Sequence, residues 1–228
     1  MKKLLFFTTM IFLGIVLQAQ ETFFPTKEGT VLVYKSFDKK DKLTSQIRYT
    51  IQKVQTNGSD IDITYLCESM DPKDKPLFKE EITIHQKGDK VYFDMGNFIN
   101  KSAFVQNGQL SPDVEVKGNE MEVPLNPQPG DVLPNANVEM SVKMGFVSMK
   151  MLADITNRKV EAQEEITVKG GTFNSYRFSC DVNASAMGIK SKTKNMDWYA
   201  KGIGTIKTES YDKSGSLLSR TELVEIHQ

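Results

Sequence analysis

The sequence contains very little histidine, and this scarcity argues against several kinds of active site. The 228 residues include two histidines, His85 and His227, which lie far apart along the chain. At that separation they provide neither metal-ligand spacing nor an obvious base for a serine or cysteine nucleophile. Walker, dinucleotide-binding and Gly-x-Ser-x-Gly motifs are also missing. We therefore predict no catalytic residues, no metal site and no cofactor.

Runs of a single charge and long internal apolar segments are missing too. The chain carries 29 basic and 29 acidic residues, and no basic run marks a nucleic-acid or anionic-membrane footprint. Beyond residue 17, no apolar segment is long enough to cross a bilayer as a helix. We therefore expect no nucleic-acid partner and no integral membrane span.

The one long apolar run lies at the N-terminus. It extends from Leu4 to Leu17, two lysines precede it, and Ala19 satisfies the small-residue rule for signal-peptidase cleavage. The pattern predicts a signal peptide over residues 1–19 and a mature chain that starts at Gln20 or Glu21. No cysteine lies in the cleavage region, so we expect an exported periplasmic or secreted protein without a lipid anchor.

Alternating apolar and polar residues dominate the mature chain. The longest clean run extends from Leu43 to Gln52, and this period of two indicates strands with one buried face. Tight-turn signals such as Asn57-Gly58 separate the runs. Helical spacing occurs near residues 97–105 alone. We predict an all-β fold, in which residues 20–228 form a single antiparallel β-roll or barrel-like meander with at most one short helix there.

Several turns can be assigned from residue type. The segments Ser36–Leu43 and Ser210–Leu217 share an aromatic residue followed by aspartate, and we expect Asp41 and Gly215 to adopt the left-handed conformation. Three further assignments concern the middle of the chain. They are a hairpin at Gly118-Asn119, a surface crossing over Pro124–Pro134 and a turn at Asn157-Arg158.

The two cysteines, Cys67 and Cys180, both fall on the apolar phase of a predicted strand. Three interpretations stay open. They can be two buried thiols that act as small hydrophobic residues, a disulfide permitted by an oxidising compartment, or a reactive thiol.

Methionine is the compositional peculiarity of the chain. Met140, Met144, Met149 and Met151 fall on the apolar phase of two consecutive strands, and Phe146 lies between them. These side chains can pack a core, line an apolar cavity for a hydrophobic ligand, or provide thioether ligands for cuprous copper.

Trp198 is the single tryptophan and precedes a glycine-rich bend. It shares a strand face with Met196, so we expect it to be mostly buried, either as a core residue or as the residue that closes a ligand cavity. Gly202 and Gly204 then bend the backbone where a side chain would clash.

Part of the sequence resembles a known family. The segment Lys169–Phe173, the triplet Tyr176-Arg177-Phe178 and the run Trp198–Lys207 with Tyr211-Asp212 are similar to the TapB-like family of exported proteins from Bacteroidetes-type bacteria. The Pro-Ala that usually precedes Gly171 in that family is missing here. The resemblance implies one antiparallel β-roll in the periplasm or outside the cell, and no established catalytic residues.

These observations favour an exported, non-enzymatic envelope protein that binds an apolar ligand or a partner protein. The candidate ligand-binding residues are Met140, Met144, Phe146, Met149, Met151 and Trp198. One alternative is an envelope glycan hydrolase, which needs two carboxylates facing one cleft. Its candidates are the acidic pairs Asp60 with Asp62, Glu80 with Glu81, and Glu164 with Glu165. A purely structural envelope component is the other alternative.

Overall fold

The computed structural model describes residues 22–98, 105–106, 109–110, 114–144, 147–186 and 188–228. It is an antiparallel, nearly all-β structure with one four-residue 3-10 turn at Met95–Phe98, which confirms the predicted fold class. The strands are β1 (Val31–Asp38), β2 (Leu43–Asn57), β3 (Asp60–Met70), β4 (Pro76–Lys87), β5 (Lys90–Asp94), β6 (Val105–Gln106), β7 (Gln109–Leu110), β8 (Val114–Gly118), β9 (Glu120–Pro124), β10 (Ala136–Met144), β11 (Val147–Val168), β12 (Gly171–Ala186), β13 (Ile189–Ala200), β14 (Gly204–Tyr211) and β15 (Leu217–His227).

Thirteen strands form one sheet that is curved into a nearly closed barrel. Their order is β8-β10-β11-β12-β13-β14-β15-β1-β2-β3-β4-β5-β9, while β6 and β7 pair with each other. Most neighbours are consecutive in sequence, as expected for a meander. The first and last strands in this order, β8 and β9, are separated by the single residue Asn119, so the chain itself joins the two edges of the sheet.

The predicted hairpin at Gly118-Asn119 is therefore wrong. Strand β8 pairs with β10, and β9 pairs with β5. The Asn119 backbone N donates to Asn137 O at 3.2 Å, its O accepts from Met95 N at 3.4 Å, and its Oδ1 accepts from Asn137 N at 2.7 Å. A Cβ at Gly118 would lie 2.8 Å from Asn137 O. Gly118 and the Asn119 side chain therefore allow the chain to cross from one edge of the sheet to the other.

Two other assignments in the middle of the chain also change. Asn157 and Arg158 lie inside the continuous strand β11, where the register with β12 shifts and Asn157 has φ of 52°. The prediction of a turn there is wrong, because a β-bulge absorbs the left-handed residue. The 3-10 turn overlaps the predicted helical segment only at its start, and residues 99–104 lie outside the described part.

The predicted hairpin turns are confirmed and have a third copy. Asp41 has φ of 59° and Gly215 has φ of 82°. In the first turn, Asp38 Oδ1 accepts from Lys40 N and Lys42 N; in the last, Asp212 Oδ1 accepts from two backbone N–H groups in the same way. Asp71 makes the same pair of bonds between β3 and β4. Repeated Asx-turn chemistry thus explains the internal similarity.

The interior of the barrel contains the larger of two apolar clusters. Phe23 and Phe24, from the segment before β1, are buried in it. The crossing over Pro124–Pro134 also contributes Leu125 and Leu133, so this segment is more than the surface crossing we predicted. The smaller cluster includes Trp198, Ile206 and Leu223.

Candidate ligand-binding cavity

A cavity of about 260 Å³ lies inside the barrel-like sheet beside Tyr65. Most of its wall is aromatic or aliphatic, and a smaller part carries hydroxyl and amide groups. The lining residues are Phe24, Leu32, Tyr34, Ile47, Tyr49, Tyr65, Ile82, Thr83, Ile84, Phe93, Asp94, Asn97, Tyr199, Thr205, Thr208 and Thr221. An engineered apolar cavity of about 150 Å³ holds benzene, so this volume suits a compound of roughly ten non-hydrogen atoms.

Five aromatic rings follow one another along the wall. Tyr34 contacts Tyr49, Tyr49 contacts Tyr65, Tyr65 contacts Phe24, and Phe24 contacts Phe93. The ring centroids lie 5.5–6.4 Å apart and every pair is edge-to-face. This arrangement is favourable for aromatic pairs. The chain of contacts holds the rings in place and leaves a preformed apolar surface.

The polar part of the wall is mostly hydrogen-bonded to the protein itself. Tyr34 Oη donates to Thr205 O at 2.7 Å, and Thr208 Oγ1 donates to Asp197 Oδ1 at 2.7 Å. The exposed Asp94 accepts from Gly96 N at 2.7 Å through Oδ1. These groups therefore keep fixed positions around an apolar space.

Tyr65 is different, because its side chain is buried and its hydroxyl has no hydrogen-bond partner within the described residues. The residue is 2% exposed and lies on the cavity wall. Burial raises the pKa of Tyr65 far above its usual range, so the phenol keeps its proton. The enclosed hydroxyl is therefore a buried hydrogen-bonding group left unsatisfied beside the cavity.

A carboxylate lies directly behind the hydroxyl part of the wall. Asp197 precedes Tyr199 by two residues on β13 and therefore points to the same interior face. Burial raises the pKa of Asp197 to about 6, while the hydrogen bond from Thr208 and the charge of Arg158 act in the opposite direction. Arg158 itself donates to two backbone oxygens, Pro134 O and Glu122 O.

The raised pKa of Asp197 makes stability depend on pH. Its ordinary value is 3.8, so the folded state holds this proton more tightly than the unfolded chain does. The contribution to stability is complete below pH 3.8 and is lost as the pH rises through 6. Asp197→Asn removes the charge and keeps an acceptor for Thr208. We therefore expect Asp197→Asn to stabilise the protein relative to wild type more at pH 7.5 than at pH 4.0. The two stabilising effects should differ by about 1–3 kcal/mol in unfolding free energy.

Urea denaturation of both proteins at the two pH values measures this difference. Because every other carboxylate is common to both proteins, its titration cancels in the comparison. An Asp197→Asn effect of the same size at pH 4.0 and pH 7.5 would contradict the assignment.

The residues that we proposed from the sequence lie elsewhere in the fold. Met140 is fully buried on β10 and pairs with Met151, and Met149 on β11 pairs with Val142. Met144 ends β10, and Phe146 lies outside the described residues. The structure therefore brings Met140, Met149 and Met151 together, but on strands that do not line the cavity.

Trp198 is buried, as expected, and packs in the smaller cluster together with Met196. Its Nε1 donates to Glu164 Oε1 at 2.8 Å, and Lys207 Nζ lies 5.3 Å from the ring centroid. It is absent from the cavity lining. This placement favours the packing interpretation of Trp198.

No disulfide joins the two cysteines in the described structure. Cys67 lies on β3 and Cys180 on β12, and both are partly buried. Burial raises the pKa of Cys180 to about 12, which suppresses thiolate formation.

Among the described residues, no cluster of three or more metal-ligating side chains occurs. His85 Nδ1 lies 2.7 Å from Asp62 Oδ1, and Asp60 Oδ1 accepts from Gly88 N. Glu164 is bound to Trp198 and Arg177.

One feature of the sequence does point to the cavity. Ile47, Tyr49 and Tyr65 all fall on the apolar phase of their strands, a pattern that predicts side chains facing the interior. Alternation specifies the face of a strand, but it does not tell whether the side chains on that face meet or leave a space.

Comparison with known proteins places the chain in a wider context. The family model described as DUF3108-like matches residues 27–223. No curated protein matches the sequence. The match concerns this family, and the resemblance to the TapB-like family stays a prediction.

Two solved structures share the fold. A protein of Bacteroides fragilis, described as exported and as having a YmcC-like fold, superposes with a TM-score of 0.77 at 19% identity, covering 91% of this chain and all of its own. A protein of Parabacteroides distasonis, described as a lipoprotein, gives a TM-score of 0.76 at 24% identity, covering 92% of this chain and all of its own. In the residues with described structure, no helix has the length and apolar character needed to cross a membrane.

Proposed function

The chain belongs to the DUF3108-like family. For this member of the family, we propose an exported binding protein that takes a small apolar molecule into its interior cavity. The observation that carries the proposal is the 260 Å³ cavity with its five-ring aromatic wall. Ligand sites are typically concave, mainly apolar and largely preformed, with a few fixed polar groups. This cavity has each of those properties.

Export is the second part of the proposal. It is supported by the basic and apolar N-terminal sequence with Ala19, and by the descriptions of the two structural neighbours as an exported protein and a lipoprotein. Sequencing the native protein should find Gln20 or Glu21 at its N-terminus. A native chain that still begins at Met1 would contradict this part.

A binding role is also better supported than hydrolysis. The described cavity wall contains one carboxylate, Asp94, and it is already hydrogen-bonded to Gly96 N. Glycoside hydrolysis normally needs two facing carboxyl groups. The hydrolase, the structural component and the protein-binding role stay predictions from the sequence, and no observation favours them over the cavity.

Calorimetric titration with ethylbenzene tests the binding function. We expect saturable binding by the wild type, accompanied by a rise in melting temperature because the ligand binds only the folded state. Ile82→Trp adds a bulky side chain to the wall of the cavity. Binding should weaken more than tenfold, since the added ring occupies the space of the ligand.

Ile189→Trp is the matched control, because Ile189 is 75% exposed and does not line the cavity. It should bind ethylbenzene as the wild type does. Ile47→Phe fills the same cavity from β2 and replaces Ile82→Trp if that variant unfolds. The proposal is overturned if the wild type binds no ethylbenzene, or if the filled variants bind it unchanged.

A further inference from the structure

The sheet has a free edge where β13 extends beyond its neighbour β14. Residues Ile189–Thr193 pair with β12 on one side along their whole length. On the other side, pairing with β14 begins only at Lys194, opposite Tyr211. Within the described part of the chain, no strand therefore pairs with the second side of Ile189–Thr193. Backbone N–H and C=O groups along such an edge are able to pair with a further strand.

This free edge carries positive charge on one face. Side chains alternate along a strand, so Lys190, Lys192 and Lys194 point to the same face at intervals of about 7 Å. All of these lysines are exposed. Lys192 Nζ lies 3.4 Å from Asp181 Oδ2, whereas Lys190 and Lys194 form no ion pair with any described residue. Two ammonium groups at the edge are therefore left for a partner.

A cleft of about 560 Å³ lies beside these lysines, between β13 and the turn that follows β14. Its charged lining residues are Lys192, Lys194, Lys213, Asp181 and Asp212. The Asp212 carboxylate already accepts from backbone N–H groups of its own turn, and Asp181 is paired with Lys192. The positive charge of the cleft is therefore not neutralised by its own carboxylates, and an acidic partner is the complementary one.

The lysines also restrict which strand can occupy the edge. Lysine on an edge strand opposes unwanted pairing, because two edges of like charge repel each other. A second copy of this chain is thus a poor occupant through its own β13. A strand with an acidic residue at every second position is a good one, because its carboxylates would lie directly opposite the lysines.

We propose that β13 binds an extended acidic segment of a partner protein, which adds a strand to the sheet along Ile189–Thr193. In this mode of recognition, backbone hydrogen bonds provide affinity and alternate side chains provide specificity. Acidic side chains of the partner contact the lysines, and apolar side chains lie beside Ile189 on the other face. The described lining of the interior cavity includes no residue of this edge, so the inference is independent of the binding function proposed above.

Fluorescence anisotropy with a labelled peptide tests the proposal. The probe is a short peptide in which glutamate alternates with valine, and we expect it to bind saturably. One control peptide has lysine in place of glutamate, and another is methylated at all its backbone nitrogens. Both should bind more than about tenfold more weakly, because the first opposes like charges and the second loses its backbone donors.

Lys190→Glu/Lys194→Glu tests the protein side of the contact. The double variant reverses two exposed charges and keeps the pair of Lys192 with Asp181, so its melting temperature should stay close to wild type. Its affinity for the glutamate–valine peptide should fall more than about tenfold. Lys27→Glu/Lys53→Glu makes the same change in charge at exposed residues away from this edge, and it should weaken binding less than about threefold.

Several results would overturn the proposal. If the glutamate–valine peptide does not bind, the lysines only protect the edge. If the methylated peptide or the Lys190→Glu/Lys194→Glu variant binds as well as its unmodified counterpart, no strand is added at β13. Tighter binding of heparin than of the peptide would assign the lysines to an acidic glycan instead. The double variant should still bind ethylbenzene as the wild type does, so failure here is separate from failure of the cavity function.

Discussion

Trp198→Ala should lower the free energy of unfolding by about 3–5 kcal/mol, as expected for truncation of a large buried aromatic residue. Trp198 is 7% exposed and belongs to the smaller cluster, together with Leu32, Ile206 and Leu223. Truncation leaves a cavity there and also removes the hydrogen bond from Nε1 to Glu164. A loss of this size is a large share of the roughly 5–15 kcal/mol by which an ordinary domain is stable.

Urea denaturation followed by far-ultraviolet circular dichroism measures the loss, because the variant has no tryptophan to report by fluorescence. Trp198→Phe keeps most of the ring volume and removes the indole N–H, so it should cost less than Trp198→Ala. The wild-type emission should be blue-shifted, since the indole is shielded from water. A loss below about 1 kcal/mol for Trp198→Ala, or emission typical of hydrated indole, would contradict this packing role.

Gly204→Ala should destabilise the protein by about 2–5 kcal/mol through two separate effects. The backbone has φ of 92°, a conformation that disfavours any residue with a Cβ. The added Cβ would also lie 2.6 Å from Phe24 Cε1. Phe24 contacts Tyr65 and Phe93 edge-to-face, so a shift of its ring would disturb both of these contacts.

Gly202→Ala separates the two effects. Gly202 has φ of 75°, but no atom lies within 4 Å of its added Cβ. It should therefore show only the backbone effect, about 1–2 kcal/mol. Thermal or urea unfolding of both variants gives the difference that belongs to the contact with Phe24. Equal destabilisation by the two substitutions would show that Phe24 does not restrict Gly204.

The two glycines also show where sequence reasoning was sufficient and where it was incomplete. We expected both to occupy a bend where a side chain would clash. The clash is confirmed at Gly204, whereas Gly202 is required for its left-handed backbone alone. The sequence indicates that glycine is needed at both positions. Only the position of Phe24, which comes from a distant segment, shows that Gly204 is also needed for its missing side chain.

The local pattern determined the strands, their buried faces and several of their turns. Alternation placed Tyr49 and Tyr65 on interior faces, and aspartate followed by Asp41 or Gly215 predicted the left-handed turn positions. These features depend on a few neighbouring residues: side chains on a strand alternate every second residue, and an aspartate carboxylate binds backbone N–H groups two and four positions later. Such information is contained in a short segment.

The tertiary structure alone decided how the sheet closes and where it leaves space. Asn119 could be assigned to a hairpin from its neighbours, yet β8 and β9 pair with strands distant in sequence. The cavity likewise depends on side chains from β1 to β5 and β13 to β15, while the conspicuous methionines lie on β10 and β11. Strand pairing and curvature bring residues of long sequence separation together, and the space between them depends on their combined shapes, which no single segment specifies.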